Sequence, residues 1–204
     1  TTAERIIRSV SCPVLMVHRE PTADYSQIAV ATDLSMTSVR AARVISKMRL
    51  LNGACTWFVH AFAPPTDVVA DEAKTAEQLD GLTERWQQLV SAQLSPDLAA
   101  SGFDLSQVRI VAEPARPLDA IEQISERLQP ELLVIGTSRW FMLKRMLMGS
   151  VAHQVLSRVR CDILAVSATS SVRASDKDDA EPSRARSYAY VQEVPREPAQ
   201  LMNG

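Results

Sequence analysis

GTSRWFMLKRMLMGS, residues 136–150, connects the apolar run ELLVI to a segment that begins SVAHQVLS. The run before it is strand-sized and continuous. The apolar spacing after it is that of an amphipathic helix. The stretch is therefore a loop leading from the carboxyl end of a strand to the N-terminus of a helix. Such an N-terminus carries unpaired N–H groups and partial positive charge, so Val151 and the residues after it are able to hold anionic oxygens. Gly149 would let the backbone approach those oxygens, the Ser150 hydroxyl would add a donor, and Gly136 would leave the strand end clear. The plainer reading is that Gly149 begins a helix and Ser150 caps it.

Outward from this loop, strands alternate with helices. QIAVAT (27–32) is a short apolar strand followed by Asp33, and residues 36–51 carry a helical stripe of Val39, Ala42, Val44, Ile45 and Met48, with Gly53 as its stop. TWFVHAF (56–62) is β-branched and aromatic, and Pro64-Pro65 ends it. Residues 71–94 form an amphipathic helix with Leu79, Leu82, Trp86, Leu89 and Val90 facing the core. VRIVA (108–112) is a third strand, and Pro117 opens a helix with Leu118, Ile121, Ile124 and Leu128 on one face. ELLVIGT (131–137) and DILAVS (162–167) are the fourth and fifth strands. This order predicts an α/β fold: an open, doubly wound, five-stranded parallel sheet with helices on both faces. Ligands of such sheets lie beyond the carboxyl ends of strands where the strand order reverses. The expected site is thus built from the segments after Thr32, Phe62 and Ile135. Asp33 belongs to it, either as a ligand carboxylate or as a cap for the helix near Met36.

The opening of the chain repeats its own later part. Laid onto residues 150–167, residues 1–18 match at Ala3/Ala152, Val10/Val159, Cys12/Cys161, Leu15/Leu164 and Val17/Val166. Apolar pairs fill the intervening core positions: Ile6/Val155, Ile7/Leu156, Val14/Ile163 and Met16/Ala165. Both copies read as helix, break and buried strand. Residues 1–20 are therefore expected to be the last helix and strand of a preceding sister domain, with the main domain at 25–167. Residues 13–17 are expected to lie antiparallel beside 163–166, closing an open sheet edge. Residues 168–204 are rich in Ser, Asp, Arg, Ala and Pro and read as a mobile tail, with YAYVQEV (188–194) as its one apolar piece.

A net charge of −2 gives no nucleic-acid surface, and no apolar run reaches the length of a membrane span. The opening has no basic region followed by an apolar core and cleavage site, and no initiator Met, so a fragment or trimmed chain is expected. Three separated cysteines form neither a disulfide framework nor a metal or redox motif, and a cytoplasmic location follows as the economical expectation. Cys12 and Cys161 precede apolar strands and read as small apolar fillers. His18, His60 and His153 are isolated from each other and read as surface or half-buried residues, with no metal site expected.

The loop, with Asp33 in ATDLS, the segment 117–121 and the closing helix, Cys and strand, resembles the universal stress protein family over roughly residues 26–167. Nucleotide-binding members of that family have a Gly, a second Gly after two intervening residues, and, after nine more intervening residues, a Gly followed by Ser or Thr. The resemblance implies an adenine nucleotide, ATP with Mg²⁺, held by Asp33, Gly136, Ser138, Arg139, Gly149, Ser150 and Val151. It also implies pairing of fifth strands in a homodimer or between tandem domains.

Two positions depart from the family pattern. The middle glycine is Arg139, followed by Trp140 and Phe141, and the glycine before the third-helix proline is Ala115. Arg139, with Lys144 or Arg145, would replace backbone donors by a guanidinium suited to phosphate. Alternatively, Trp140 and Phe141 fill the cavity, and the protein is a nucleotide-free interaction module with a vestigial site. No nucleophile elbow or G-K-[ST] ending is present, so the expected role is regulatory, with slow ATP hydrolysis at most.

Overall fold

A computed structural model describes residues 6, 7, 9–18, 20, 23–64, 75–137 and 159–167. Along these run β1 (Val14–Met16), β2 (Gln27–Thr32), α1 (Met36–Lys47), β3 (Cys55–Ala61), α2 (Thr75–Ala100), a 3₁₀ turn (Leu105–Gln107), β4 (Val108–Glu113), α3 (Pro117–Leu128), β5 (Leu132–Gly136) and β6 (Asp162–Val166). The six strands form one sheet in the order β1-β6-β5-β2-β3-β4. β2, β3, β4, β5 and β6 are mutually parallel, as expected. The sixth strand, β1, is antiparallel to β6 with Val14↔Ala165, Leu15↔Leu164 and Met16↔Ile163 in register. That is the predicted edge pairing.

Two apolar layers sandwich the sheet. Ile28, Val30, Phe58 and Leu164 face α1 and α2 through Ala41, Ile45, Val90 and Leu98. Ala29, Leu133, Ile135 and Ile163 face α3 through Ile121 and Ile124. β5 and β6 are buried along almost their whole length, as parallel strands covered on both faces must be. Each fully buried Leu, Ile or Val here contributes about 1.5–3 kcal/mol.

The helix ends differ from the sequence expectation for local reasons. α1 stops at Lys47, well before Gly53, because Arg49 adopts φ 56°. Leu50 N then donates to the Ile45 carbonyl and Arg49 N to the Ser46 carbonyl, which closes the last turn. α2 ends in the same way, with Gly102 at φ 83° and Phe103 N donating to the Leu98 carbonyl. It also runs past the expected Leu94, through Pro96, to Ala100. Proline removes one helical hydrogen bond there, but buried Leu94 and Leu98 on either side hold the helix to the sheet. Cys161 is buried as expected, whereas Cys12 is exposed, because it lies in the bend before the short edge strand.

At the amino ends of the strands two carboxylates gather the chain. Asp162 is buried and accepts from His18 N at 2.8 Å and from the Tyr25 hydroxyl at 2.7 Å. Glu131 accepts from Ser26 N, the Ser26 hydroxyl and Gln27 N. Burial, followed by the bond to Asp162, pushes the Tyr25 phenol up to about 12. A phenol raised in the folded state gives up its share of stability as pH climbs from 10 through that value.

Both the carboxylate contacts and the left-handed turn at Arg49 can be tested. Asp162→Ala strands two donors and should cost about 3 kcal/mol in urea unfolding. In the same variant the Tyr25 phenolate absorbance should move back toward pH 10. Arg49→Gly removes the left-handed penalty and should add about 1 kcal/mol. An Arg49→Gly protein no more stable than its parent would show that the turn is not strained.

Candidate functional site

The chain proceeds from β2 to β3 and β4 in one direction, then returns to place β5 on the opposite side of β2. The strand order thus reverses between β2 and β5, where parallel sheets leave a crevice at the carboxyl ends. The last paired residues there are Ala31↔Ile135, and one residue further on stand Thr32 and Gly136. Asp33 and Gly136, read separately from the sequence, therefore occupy neighbouring strand ends.

Asp33 organises the turn into α1. Its Oδ1 accepts from Ser35 N at 3.0 Å and from the Ser38 hydroxyl at 2.6 Å, and its own N–H donates to Ser38 Oγ at 3.1 Å. The Thr32 hydroxyl accepts from Leu34 N at 3.1 Å. Leu34 is held at φ 60° with its side chain buried in the core. A non-glycine residue in that region costs about 1–2 kcal/mol, and these side-chain bonds together with the burial of Leu34 maintain it. By backbone geometry Ser35 is the N-cap, yet its side chain makes no cap bond. Asp33 is not the N-cap residue: from two positions upstream it binds the N–H of Ser35 and the Ser38 hydroxyl, which fixes its carboxylate at the end of β2.

Gly136 is needed for space. A Cβ there would stand 3.0 Å from Thr37 Cγ2, tighter than side chains normally tolerate. Thr137 turns inward, its N–H donating to the Val166 carbonyl at 2.8 Å.

Sequence reading passed over the neighbours of this turn. His60, paired in register with Thr32, has Nδ1 3.0 Å from the Thr32 carbonyl oxygen. A carbonyl only accepts, so Nδ1 carries the proton and Nε2 the lone pair. The ring lies 5.3 Å from Trp86, which stacks on Phe62 at 5.5 Å. Burial lowers the His60 pKa below its ordinary value, against the opposing pull of the Thr32 carbonyl and the Asp33 charge. The signal for Ser38 was present in ATDLSMTS, a run of small hydroxyls after an acid, whereas nothing local marks His60.

Glu113, at the end of β4, is buried and paired with Arg127. Its carbonyl receives Phe62 N at 2.9 Å and Ala115 N at 2.8 Å. Ala115 is not among the residues with positive φ, so alanine fits where the family pattern has glycine. Of the predicted site residues, Ser138, Arg139, Gly149, Ser150 and Val151 lie outside the described residues, as do Trp140, Phe141, Lys144, Arg145 and the tail 168–204. Among the described residues no cluster of three or more His, Cys, Asp or Glu is placed to hold a metal, and no helix is long and apolar enough to cross a membrane.

Comparison with known proteins agrees with this fold. The model of the universal stress protein family matches residues 24–167. A universal stress protein solved in complex with cAMP is 20% identical, aligns over 71% of this chain and 98% of its own, and has a TM-score of 0.52. A universal stress protein from Archaeoglobus fulgidus is 17% identical with a TM-score of 0.54, over 81% of this chain and 53% of its own. No curated protein matches the sequence.

The Gly136 contact can be tested directly. Gly136→Ala should destabilise the fold by about 1–2 kcal/mol. Thr37→Ser, which removes the opposing methyl, should recover most of that loss in a double-mutant cycle.

Proposed function

Because the chain belongs to the universal stress protein family, we propose that it is a non-catalytic regulatory protein that binds an adenine nucleotide where its strand order reverses. The observation carrying this reading is that the Asp33 turn and Gly136 stand at the neighbouring carboxyl ends of β2 and β5, where the strand order reverses. In this reading ATP, with Mg²⁺, lies across the crevice. The Asp33 carboxylate accepts from ribose or adenine donors, and Gly136 lets the first turn of α1 pack closely on the neighbouring strand end. Ser138, Arg139, Gly149, Ser150 and Val151 receive the phosphates, the Arg139 guanidinium standing in for the family's glycine amide. The ordinary backbone at Ala115 supports the reading, since one of the two departures from the family pattern then carries no strain. The cAMP bound by a structural relative is an adenine nucleotide of the same class.

We further read residues 1–20 as the last helix and strand of a sister domain, joined to the 25–167 domain through their final strands. The register supports this. Leu15 and Leu164, equivalent in the internal repeat, are direct partners, and Val14 and Met16 pair with the equivalents of each other. A local two-fold axis therefore passes between the two leucines, as it must when like strands meet edge to edge. The Archaeoglobus alignment, which takes in more of this chain and only 53% of the longer relative, agrees with a tandem arrangement.

Titration calorimetry with ATP and Mg²⁺ tests the nucleotide reading. Heat saturating at micromolar to millimolar ligand is expected, with cAMP as a comparison. Gly149→Arg should abolish the signal, and Asp33→Asn should weaken it about tenfold while retaining an acceptor for Ser35 N. Neither heat nor thermal shift at millimolar ATP would leave the nucleotide-free interaction module as the function.

A further inference from the structure

α1 turns a row of cations away from the sheet. Its Ala41, Ala42 and Ile45 are buried in the core, and at one turn per 3.6 residues Met36, Arg40, Arg43 and Lys47 fall on the opposite side, within about 60° of one another. Met36, Arg40 and Lys47 are exposed and Arg43 is half-buried. Like charges three and four residues apart on a helix lie about 5–6 Å from each other and repel, and α1 contains no Asp or Glu to offset them. Further along, the chain carries a complementary run. Asp176, Asp178, Asp179 and Glu181, with Lys177 the one cation among them, belong to residues 176–181, outside the described part of the structure. We propose that residues 176–181 dock on the Arg40, Arg43 and Lys47 face of α1 as an intramolecular, salt-sensitive contact.

Position brings the two together. β2, β5 and β6 run parallel, so β6 ends at the rim where the chain turns into α1, and α1 packs against both β5 and β6. The chain therefore leaves Ser167 on the side of the sheet where this helix begins. Fully extended, the eight residues 168–175 reach about 26–29 Å. The helix has 12 residues and is about 18 Å long, so each of the three cations lies within that reach. In an extended run alternate side chains share a face about 6.6 Å apart, which pairs Asp176 with Asp178 and Asp179 with Glu181. Successive cations of the stripe stand about 4.5–6 Å apart along the helix axis, so neighbouring carboxylates meet neighbouring cations.

The tether selects the occupant. An exposed ion pair is individually weak, and a free acidic peptide would have to gather several of them against the loss of its own freedom. A segment joined to the fold by a short connection meets α1 at an effective concentration in roughly the millimolar range, so the chain's own acidic run has the advantage. Because the paired groups stay in water, added salt weakens the contact steeply.

The test uses the intact chain at low salt. A carbodiimide joins the Lys47 amine to a carboxylate only where the two already touch, and mass spectrometry locates the link. Lys47 should couple to a carboxylate of residues 176–181 with a yield independent of protein concentration. The yield should fall about fivefold or more at about 1 M salt, where charges are screened beyond about 3 Å. Asp176→Asn, Asp178→Asn and Asp179→Asn together should cause the same loss, whereas Glu193→Gln with Glu197→Gln should not. By NMR, the backbone amides of Arg40, Arg43 and Lys47 should shift in the asparagine variant. Arg40→Glu with Arg43→Glu should release the segment, and adding Asp178→Lys with Asp179→Lys should restore the α1 shifts toward those of the parent. The wild-type link needs no variant, so a variant that fails to fold leaves the test intact. A Lys47 that never couples to 176–181, links found only between isotopically mixed copies, or α1 amides indifferent to the asparagine variant would each overturn the inference.

Discussion

Strands buried on both faces leave no place for polar side chains except at their ends. β5 is apolar and buried from Leu132 to Ile135, and β6 is buried from Asp162 to Val166. Their backbone groups are taken up by neighbouring strands, and their side chains by helices on either side. Polar groups are consequently displaced to the two rims of the sheet. At the amino rim, Glu131 and Asp162 bind backbone N–H groups and hydroxyls and hold the connections in place. At the carboxyl rim, Thr32, Asp33, Ser38 and His60 form a linked set beside Gly136. The same exclusion makes one rim structural and leaves the other open to chemistry.

The edge of the sheet follows the same logic. β6 is as fully buried as an interior strand, although the parallel order makes it the last of the five. Without β1, its outer N–H and C=O groups would lack partners, and an unpaired apolar edge invites association. β1 supplies those partners, with Met16 and Ile7 packed on the α3 layer. Leu15 and Val17 remain exposed. Asp162 then ties the chain just after β1 to the body, because one carboxylate receives both His18 N and the Tyr25 hydroxyl.

At the carboxyl rim, tolerance of substitution depends on what each glycine is for. At 136 the requirement is space, since a Cβ would crowd the Thr37 methyl at 3.0 Å. At 115 the backbone angle is ordinary, and alanine meets the need. Departure from a glycine pattern therefore carries different weight at different positions, depending on whether conformation or contact set the requirement.

Apolar periodicity and proline or glycine punctuation determined the element order, the parallel five-stranded core and the rim that carries the crevice. These are local signals, with periods of two and 3.6 residues and strong stop residues. The repeat of residues 1–18 in 150–167 also placed β1 beside β6, because like strands can satisfy each other's edges. Helix ends were less legible: α1 closes at Arg49 rather than at Gly53, and α2 passes through Pro96. Packing of Leu94 and Leu98 outweighs a local breaker there, and no window of sequence contains that energy. His60 was beyond the sequence altogether. Its bond to the Thr32 carbonyl joins residues 28 apart, and its contact with Trp86 spans two elements. Only the folded sheet brings those groups within reach, because register and helix docking, not chain proximity, set the distances between them.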